Sequence, residues 1–320
     1  MDELHVQGFG AVSVDDIFYV DRPVGAGKGR VMQRIGQHGG NVATALVAVA
    51  ALGGRAGFIG WLSDSDDDPS LRDLAAHGVD ISLAPRRGDA RAISSVIIVS
   101  PDGERFIAYD DAVPQGTADS LTDAVLGRAP VLLIDSYATH SVDVVARARG
   151  LGLAIVADIE WTTGADTEAL IALADHLVVP RAFAQAATGT KDAATMLNAL
   201  WSPQRIAVVL TDGAGGSFLR QRGDSVLWHL PAHRVTAVDT TGAGDCFHGA
   251  YALALAQGKT PLDCMLLAGA AAALSVTGQG GRAALPGHAD CDALMASAGA
   301  PQPVAFGTAN DGRGRGDKDG

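Results

Sequence analysis

Short apolar, β-prone runs alternate with helical stretches along most of this chain, and that alternation constrains its fold more than any other feature. Ala56–Trp61, Val131–Asp135, Leu153–Ile159, His176–Val179 and Ile206–Thr211 each predict a short buried strand. Interleaved with them, Val42–Leu52, Pro69–His77, Ser141–Gly150, Asp166–Leu173 and Asp192–Trp201 predict helices. Such alternation builds parallel strands joined by crossover helices, a layered α/β domain. Two segments, about 12–35 and 92–112, break the rhythm. In the second, Ser94–Val99 and Arg105–Tyr109 flank Ser100-Pro101-Asp102-Gly103, a turn whose residues favour a hairpin. These two segments are expected to form a small β-sheet inserted into a single domain of residues 1–298. Residues 299–320 carry no periodicity and end in Gly-Arg-Gly-Arg-Gly-Asp-Lys-Asp-Gly, so a disordered tail is expected there.

Composition narrows the function. With 24 basic and 36 acidic residues the formal charge is −12, the wrong sign for a surface that neutralises phosphate backbones, so no nucleic-acid partner is expected. Three scattered cysteines suit neither a disulfide framework nor a zinc cluster. The acidic start Met1-Asp2-Glu3-Leu4-His5 lacks a signal-peptide core, and the longest apolar stretches fall short of a membrane span. A cytoplasmic protein without a membrane partner is the expectation. Arginine outnumbers lysine 20 to 4, so no arginine is singled out by type alone.

The chemistry concentrates in Asp239-Thr240-Thr241-Gly242-Ala243-Gly244-Asp245. Phe247, Ala250, Tyr251, Ala254 and Leu255 follow at helical spacing, so the Gly-Ala-Gly turn opens a helix with one apolar stripe. Helix N-termini leave backbone N–H groups without intrahelical partners, and small residues let an anion approach them. A carboxylate beside such an anion hole suits phosphoryl transfer: amides stabilise the transferred group while Asp245 takes the acceptor's proton. A Gly-rich turn with Asp at a helix start is also a common capping device. Two more clusters weigh against that plain explanation. Gly39-Gly40-Asn41 opens the helix ending at Leu52-Gly53, and Thr211-Asp212-Gly213-Ala214-Gly215-Gly216 follows a strand, where phosphate settles beside a parallel sheet.

In this order the three clusters resemble the PfkB (ribokinase-like) family of carbohydrate kinases, and the resemblance runs from about Val6 to Pro286. It implies a three-layer α/β/α sandwich with a small β-sheet lid, ATP and Mg2+ as cofactors, and phosphorylation of a small sugar. By that resemblance Asp245 is the catalytic base and Gly242, Ala243 and Gly244 supply the anion hole. Asp15, Gly39, Gly40, Asn41 and Thr44 belong to the sugar site, and Thr211, Gly213 and Gly216 to the nucleotide site. Asp239 and Thr241 match residues that hold a monovalent cation such as K+ in many members. Thr44 stands where many members carry Asn. The family's Asn-x-x-Glu magnesium motif is missing around Val179–Ala184, which leaves Asp158 and Glu160 as candidate Mg2+ residues. These departures are similar to those of ketohexokinases and sulfofructose kinases. Lys28 falls where the latter place a sulfonate-binding lysine, so a ketose, fructose-like or anionic, is the expected acceptor. Ribose, ketodeoxygluconate and nucleosides are the alternative acceptors, and the lid suggests a homodimer.

Other motifs carry less. Gly8-Phe9-Gly10-Ala11-Val12-Ser13 fails as a dinucleotide fingerprint because β-like sequence follows it, and Gly29 after Lys28 excludes a Walker loop. Asp64–Asp68 places Pro69 where a calcium loop needs Gly. His38 and His248 are expected at the surface or behind the site rather than as bases. A fold-retaining binder without catalysis and a nicotinamide oxidoreductase remain as rivals, and retention of Asp245 disfavours the first.

Overall fold

The computed structural model describes residues 3–304 except Ala26, Gly103, Glu104, Thr163 and Ala298. The first half of the chain holds β1 (Val6–Phe9), β2 (Ser13–Val20), β3 (Val31–Gly39), α1 (Asn41–Ala51), β4 (Ala56–Phe58) and β5 (Leu62–Ser63). It continues through α2 (Pro69–Ala76), β6 (Val79–Asp80), β7 (Arg86–Arg87), β8 (Ile93–Val99), β9 (Arg105–Asp110), α3 (Asp123–Leu126) and β10 (Val131–Asp135). Then come α4 (Val142–Gly150), β11 (Ala154–Asp158), α5 (Ala165–Leu173), β12 (His176–Pro180), α6 (Arg181–Thr188), α7 (Ala193–Ala199) and β13 (Ala207–Thr211). The last part holds β14 (Ser217–Gln221), β15 (Leu227–Leu230), α8 (Ala243–Ala256), α9 (Pro261–Ser275), α10 (His288–Ala296) and β16 (Gln302–Val304).

Ten strands form one sheet in the order β16-β15-β14-β13-β12-β11-β10-β1-β4-β6. Pairing is parallel from β6 to β13 and antiparallel from β13 to β16. Successive strand residues face opposite helical layers, as a period of two requires. Val131 and Leu133 pack with α1, α8 and α9, whereas Leu132 and Ile134 pack with α4, α5 and α7. The layered α/β domain expected from the alternation is thus present, as the three-layer α/β/α sandwich that the family resemblance implies. Within it β1 sits between β10 and β4, so the chain winds outward in both directions from β1. Ligands settle at the C-terminal ends of strands beside such a reversal.

The lid is a separate four-stranded sheet in the order β3-β2-β8-β9, built from the two segments that broke the α/β rhythm. It reaches Gly39, four residues beyond the expected boundary. Residues 231–239 form no strand and tie to α9, with the Val238 and Asp239 amides donating to Val276 O. Two further expectations need correction. The α8 stripe is not one-sided: residues 246–254 are all buried, since the helix lies between α1, α9 and the sheet. Finally, Gln302–Val304 pair with β15 inside the segment expected to be disordered, while residues 305–320 lie outside the described residues.

Candidate active site

Gly242 adopts φ 72° as the N-cap of α8, a left-handed conformation open to glycine at no steric cost, and a Cβ there would come within 2.9 Å of Gly281. The first intrahelical bond runs from Cys246 N to Gly242 O at 2.9 Å. The Ala243 amide points to Thr240 O at 3.3 Å, whereas among the described residues the amides of Gly242 and Gly244 have no such backbone partner. Asp239 fixes this turn: its Oδ1 accepts from the Thr241 amide (2.9 Å) and hydroxyl (2.7 Å), and its Oδ2 from Gly280 N (3.0 Å). That arrangement ties two loops together.

A cleft of about 400 Å³ runs from this helix end to the β13–β14 turn. Thr211, Gly213 and Gly216 line one side, Ala243 and Gly244 the other, and Phe247 lies in its apolar floor. The volume falls within the range of pockets that enclose drug-sized ligands.

On the acceptor side, Asp15 projects from the lid strand β2. Its carboxylate accepts from Ser95 Oγ and, at 3.4 Å, from Ser13 Oγ. Gly40 caps α1 at φ 93° beneath it. Two residues of the expected sugar site have protein partners. Thr44 is buried, and its hydroxyl accepts from Arg282 Nε at 3.1 Å. Asn41 donates to Asp158 Oδ2 at 3.1 Å, so its amide is engaged with a neighbouring strand end. Lys28 lies in the exposed β2–β3 connection, and among the described residues it makes no hydrogen bond or ion pair.

Around Asp245 the charges are concentrated. Asp135 and Asp158 end the adjacent strands β10 and β11, and Glu160 follows. Burial pushes Asp245 well above the usual carboxylate range; Asp158 and Glu160 add to this and Arg282 opposes it. Glu160 rises for the same reasons, burial first and Asp158 second. Asp135 is buried and pushed up to about 7, chiefly by desolvation, although the amides of Ala11 (2.7 Å) and Tyr137 (2.9 Å) donate to it. His248 is buried, not at the surface: its Nε2 lies 3.1 Å from Val178 O and 3.5 Å from Asp158 Oδ1. Among the described residues no group of three or more His, Cys, Asp or Glu side chains is disposed to hold a metal ion.

Arg282 is the residue that the sequence least prepares for. Its side chain is 8% exposed, and it binds Asp73 on α2, Thr44 on α1 and Gly39 O (2.9 Å) at the lid hinge. It lies in the field of both Asp15 and Asp245. The run Gly280-Gly281-Arg282 is the signal that could have found it.

A buried carboxylate at a helix N-terminus beside a cleft of about 400 Å³ is the arrangement that a phosphotransferase requires. The chain matches the pfkB family carbohydrate kinase description over residues 5–287. It is 30% identical over 292 residues to a fructokinase from Klebsiella pneumoniae, covering 81% of this chain and 91% of that one. It is 31% identical over 276 residues to the aminoimidazole riboside kinase of Salmonella typhimurium, covering 78% and 84%. It also matches the bifunctional protein HldE of Caulobacter, 29% identical over 253 residues, 74% of this chain but only 50% of that one. A crystal structure from Agrobacterium tumefaciens with a provisional ribokinase assignment superposes with TM-score 0.84 at 31% identity, over 92% of this chain and 98% of that one. The chain belongs to the pfkB family of carbohydrate kinases, whose members are ATP-dependent sugar kinases. No helix among the described residues is long and apolar enough to cross a membrane.

Proposed function

We propose that this protein transfers the γ-phosphate of ATP to a hydroxyl of a small sugar or sugar-bearing molecule. The observation that carries the reading is the meeting of the 400 Å³ cleft and the Asp245 carboxylate at one helix N-terminus. ATP occupies the cleft with its phosphates toward Gly244. The helix-end amides stabilise charge on the transferred group, and Asp245 accepts the proton of the attacking hydroxyl. Mg2+ bound with ATP would neutralise phosphate charge beside Asp158 and Glu160. A monovalent cation such as K+ at Asp239 and Thr241 would add positive charge beside the same helix end. Asp15, fixed by Ser95 and Ser13, orients acceptor hydroxyls, and lid closure excludes competing water.

The relatives divide over the acceptor. Similarity to a fructokinase supports a ketose, and similarity to aminoimidazole riboside kinase supports a riboside. An anionic sugar such as sulfofructose has less in its favour, because Lys28 is exposed and carboxylates line the acceptor side. The outer lid face leaves Val96 43% and Phe106 54% exposed, which supports self-association through the lid, testable by sedimentation of the purified protein. ADP release measured across fructose, ribose, ketodeoxygluconate and nucleosides tests the kinase reading. Turnover of at least one, abolished in Asp245→Ala, is expected. ATP binding without any acceptor-dependent ADP release would favour a catalytically silent binder.

A further inference from the structure

The parallel sheet has two ends, and phosphotransfer uses only the C-terminal one. At the other end lies a second cavity of about 310 Å³, whose lining includes Arg55, Arg128, Asp80, Ser82, Leu4 and Gly78. It opens where β1, β4 and β6 begin, beside the turns that follow α1 and α2. Helix α1, 11 residues and roughly 16 Å long, separates it from Asn41 on the acceptor side, so a ligand here is out of reach of Asp245.

One short stretch of chain holds both arginines in place. Leu4 N donates to Arg128 O at 3.0 Å and His5 N to Arg55 O at 2.9 Å, which fixes one arginine on each side of the approach to β1. The Arg55 amide donates to His5 Nδ1 at 3.0 Å, and the Arg55 Nε donates to Glu3 O. The two terminal nitrogens of Arg55 make no hydrogen bond or ion pair among the described residues. Arg128, its side chain 15% exposed, donates to Asp80 Oδ2 at 3.3 Å, and Asp80 Oδ1 accepts from Ser82 N at 2.9 Å. The cavity thus sets two guanidinium groups against one carboxylate, a local positive excess on a chain of formal charge −12.

Those groups select among ligands. A guanidinium with open terminal nitrogens pairs with a carboxylate through two parallel hydrogen bonds. A phosphate dianion would set its second negative charge against Asp80. A neutral polyol brings no charge to Arg55, and a bare carboxylate brings no hydroxyl to Asp80 or Ser82. The volume matches about ten liquid waters, ample for a short carbon chain bearing both kinds of group.

We propose that this cavity is a binding site for a small hydroxy acid, its carboxylate on the terminal nitrogens of Arg55 beside Arg128 and its hydroxyls on Asp80 and Ser82. Binding there is measured without acceptor or turnover, so it stands or falls apart from the kinase reading. Calorimetry on the full-length protein at low salt compares glycerate, glycerol (the same three carbons without the charge) and inorganic phosphate. Glycerate should bind at one per chain and about tenfold more tightly than either control. Arg55→Gln should weaken glycerate about tenfold, the scale of one charge-assisted hydrogen bond, and Arg55→Lys, which keeps the charge without the fork, should recover part of it. Asp15→Ala should leave glycerate binding unchanged. Asp80→Asn, which removes the repelling carboxylate, should narrow the gap between glycerate and phosphate. No glycerate binding, or glycerol or phosphate binding as tightly as glycerate, overturns the inference. So does glycerate binding that is lost in Asp15→Ala and kept in Arg55→Gln, which assigns it to the sugar site. The comparison of glycerate with its two controls on the unaltered protein decides the matter even where Arg55→Gln fails to fold.

Discussion

Asp245 carries two requirements that pull against each other. A base must be ionised, yet burial and three neighbouring carboxylates favour its protonated form. Activity should therefore rise with pH as Asp245 loses its proton, and fall on the acid side of its raised pKa, in a kcat/KM profile at saturating Mg2+-ATP. Asp245→Ala should lower kcat by about 10²–10⁴-fold, the general-base contribution, while ATP still raises the melting temperature. Arg282 opposes the elevation. In Arg282→Gln the acid limb of the profile should move to higher pH. Stability should also fall by about 3–5 kcal/mol, since Asp73 would remain as a buried carboxylate without its ion-pair partner; urea unfolding measures this. Asp245 was legible because its turn and helix are contiguous in sequence. Arg282 was not, because its partners Asp73, Thr44 and Gly39 lie more than 200 residues away along the chain.

Helices α1 and α8 bring the Gly-Gly-Asn turn and the Gly-Ala-Gly-Asp turn to the same end of the sheet. They do so by backbone contact: a Cβ on Gly249 would overlap Ala45 O. Gly249→Ala should force the helices apart and cost about 1–3 kcal/mol, read as a lower melting temperature with a larger loss of kcat than of ATP affinity. The bounds of α1, α2, β10 and β13 fall within a residue or two of those expected, because each carries its own period and its own stop signals. The stripe on α8 misled for a physical reason. Most of this helix is alanine, leucine or glycine, and its small residues tolerate either solvent or core, so only the stacking of α9 buries the far side.

At the scale of the molecule, the acidic charges collected at one edge of the sheet tie stability to pH. Asp135 holds its proton to about 7 when folded, whereas the unfolded chain releases it near the ordinary carboxylate value. Between about pH 4 and 7 the folded state binds the extra proton, so stability falls as pH rises and levels off above 7, by on the order of 4 kcal/mol from this group. Melting temperatures measured from pH 5 to 8 should decline, and the decline should be shallower in Asp135→Asn. Period, turn chemistry and helix-end geometry are local properties, so the layered sandwich, the lid from two distant segments and the three glycine turns could all be read from the order of residues. No local property says that Thr44 faces Arg282, that Asn41 binds Asp158, or that Tyr137 meets Trp161 edge to face. Those contacts join residues far apart in the chain, and only the strand order and the crossing of α1 over α8 bring them within reach.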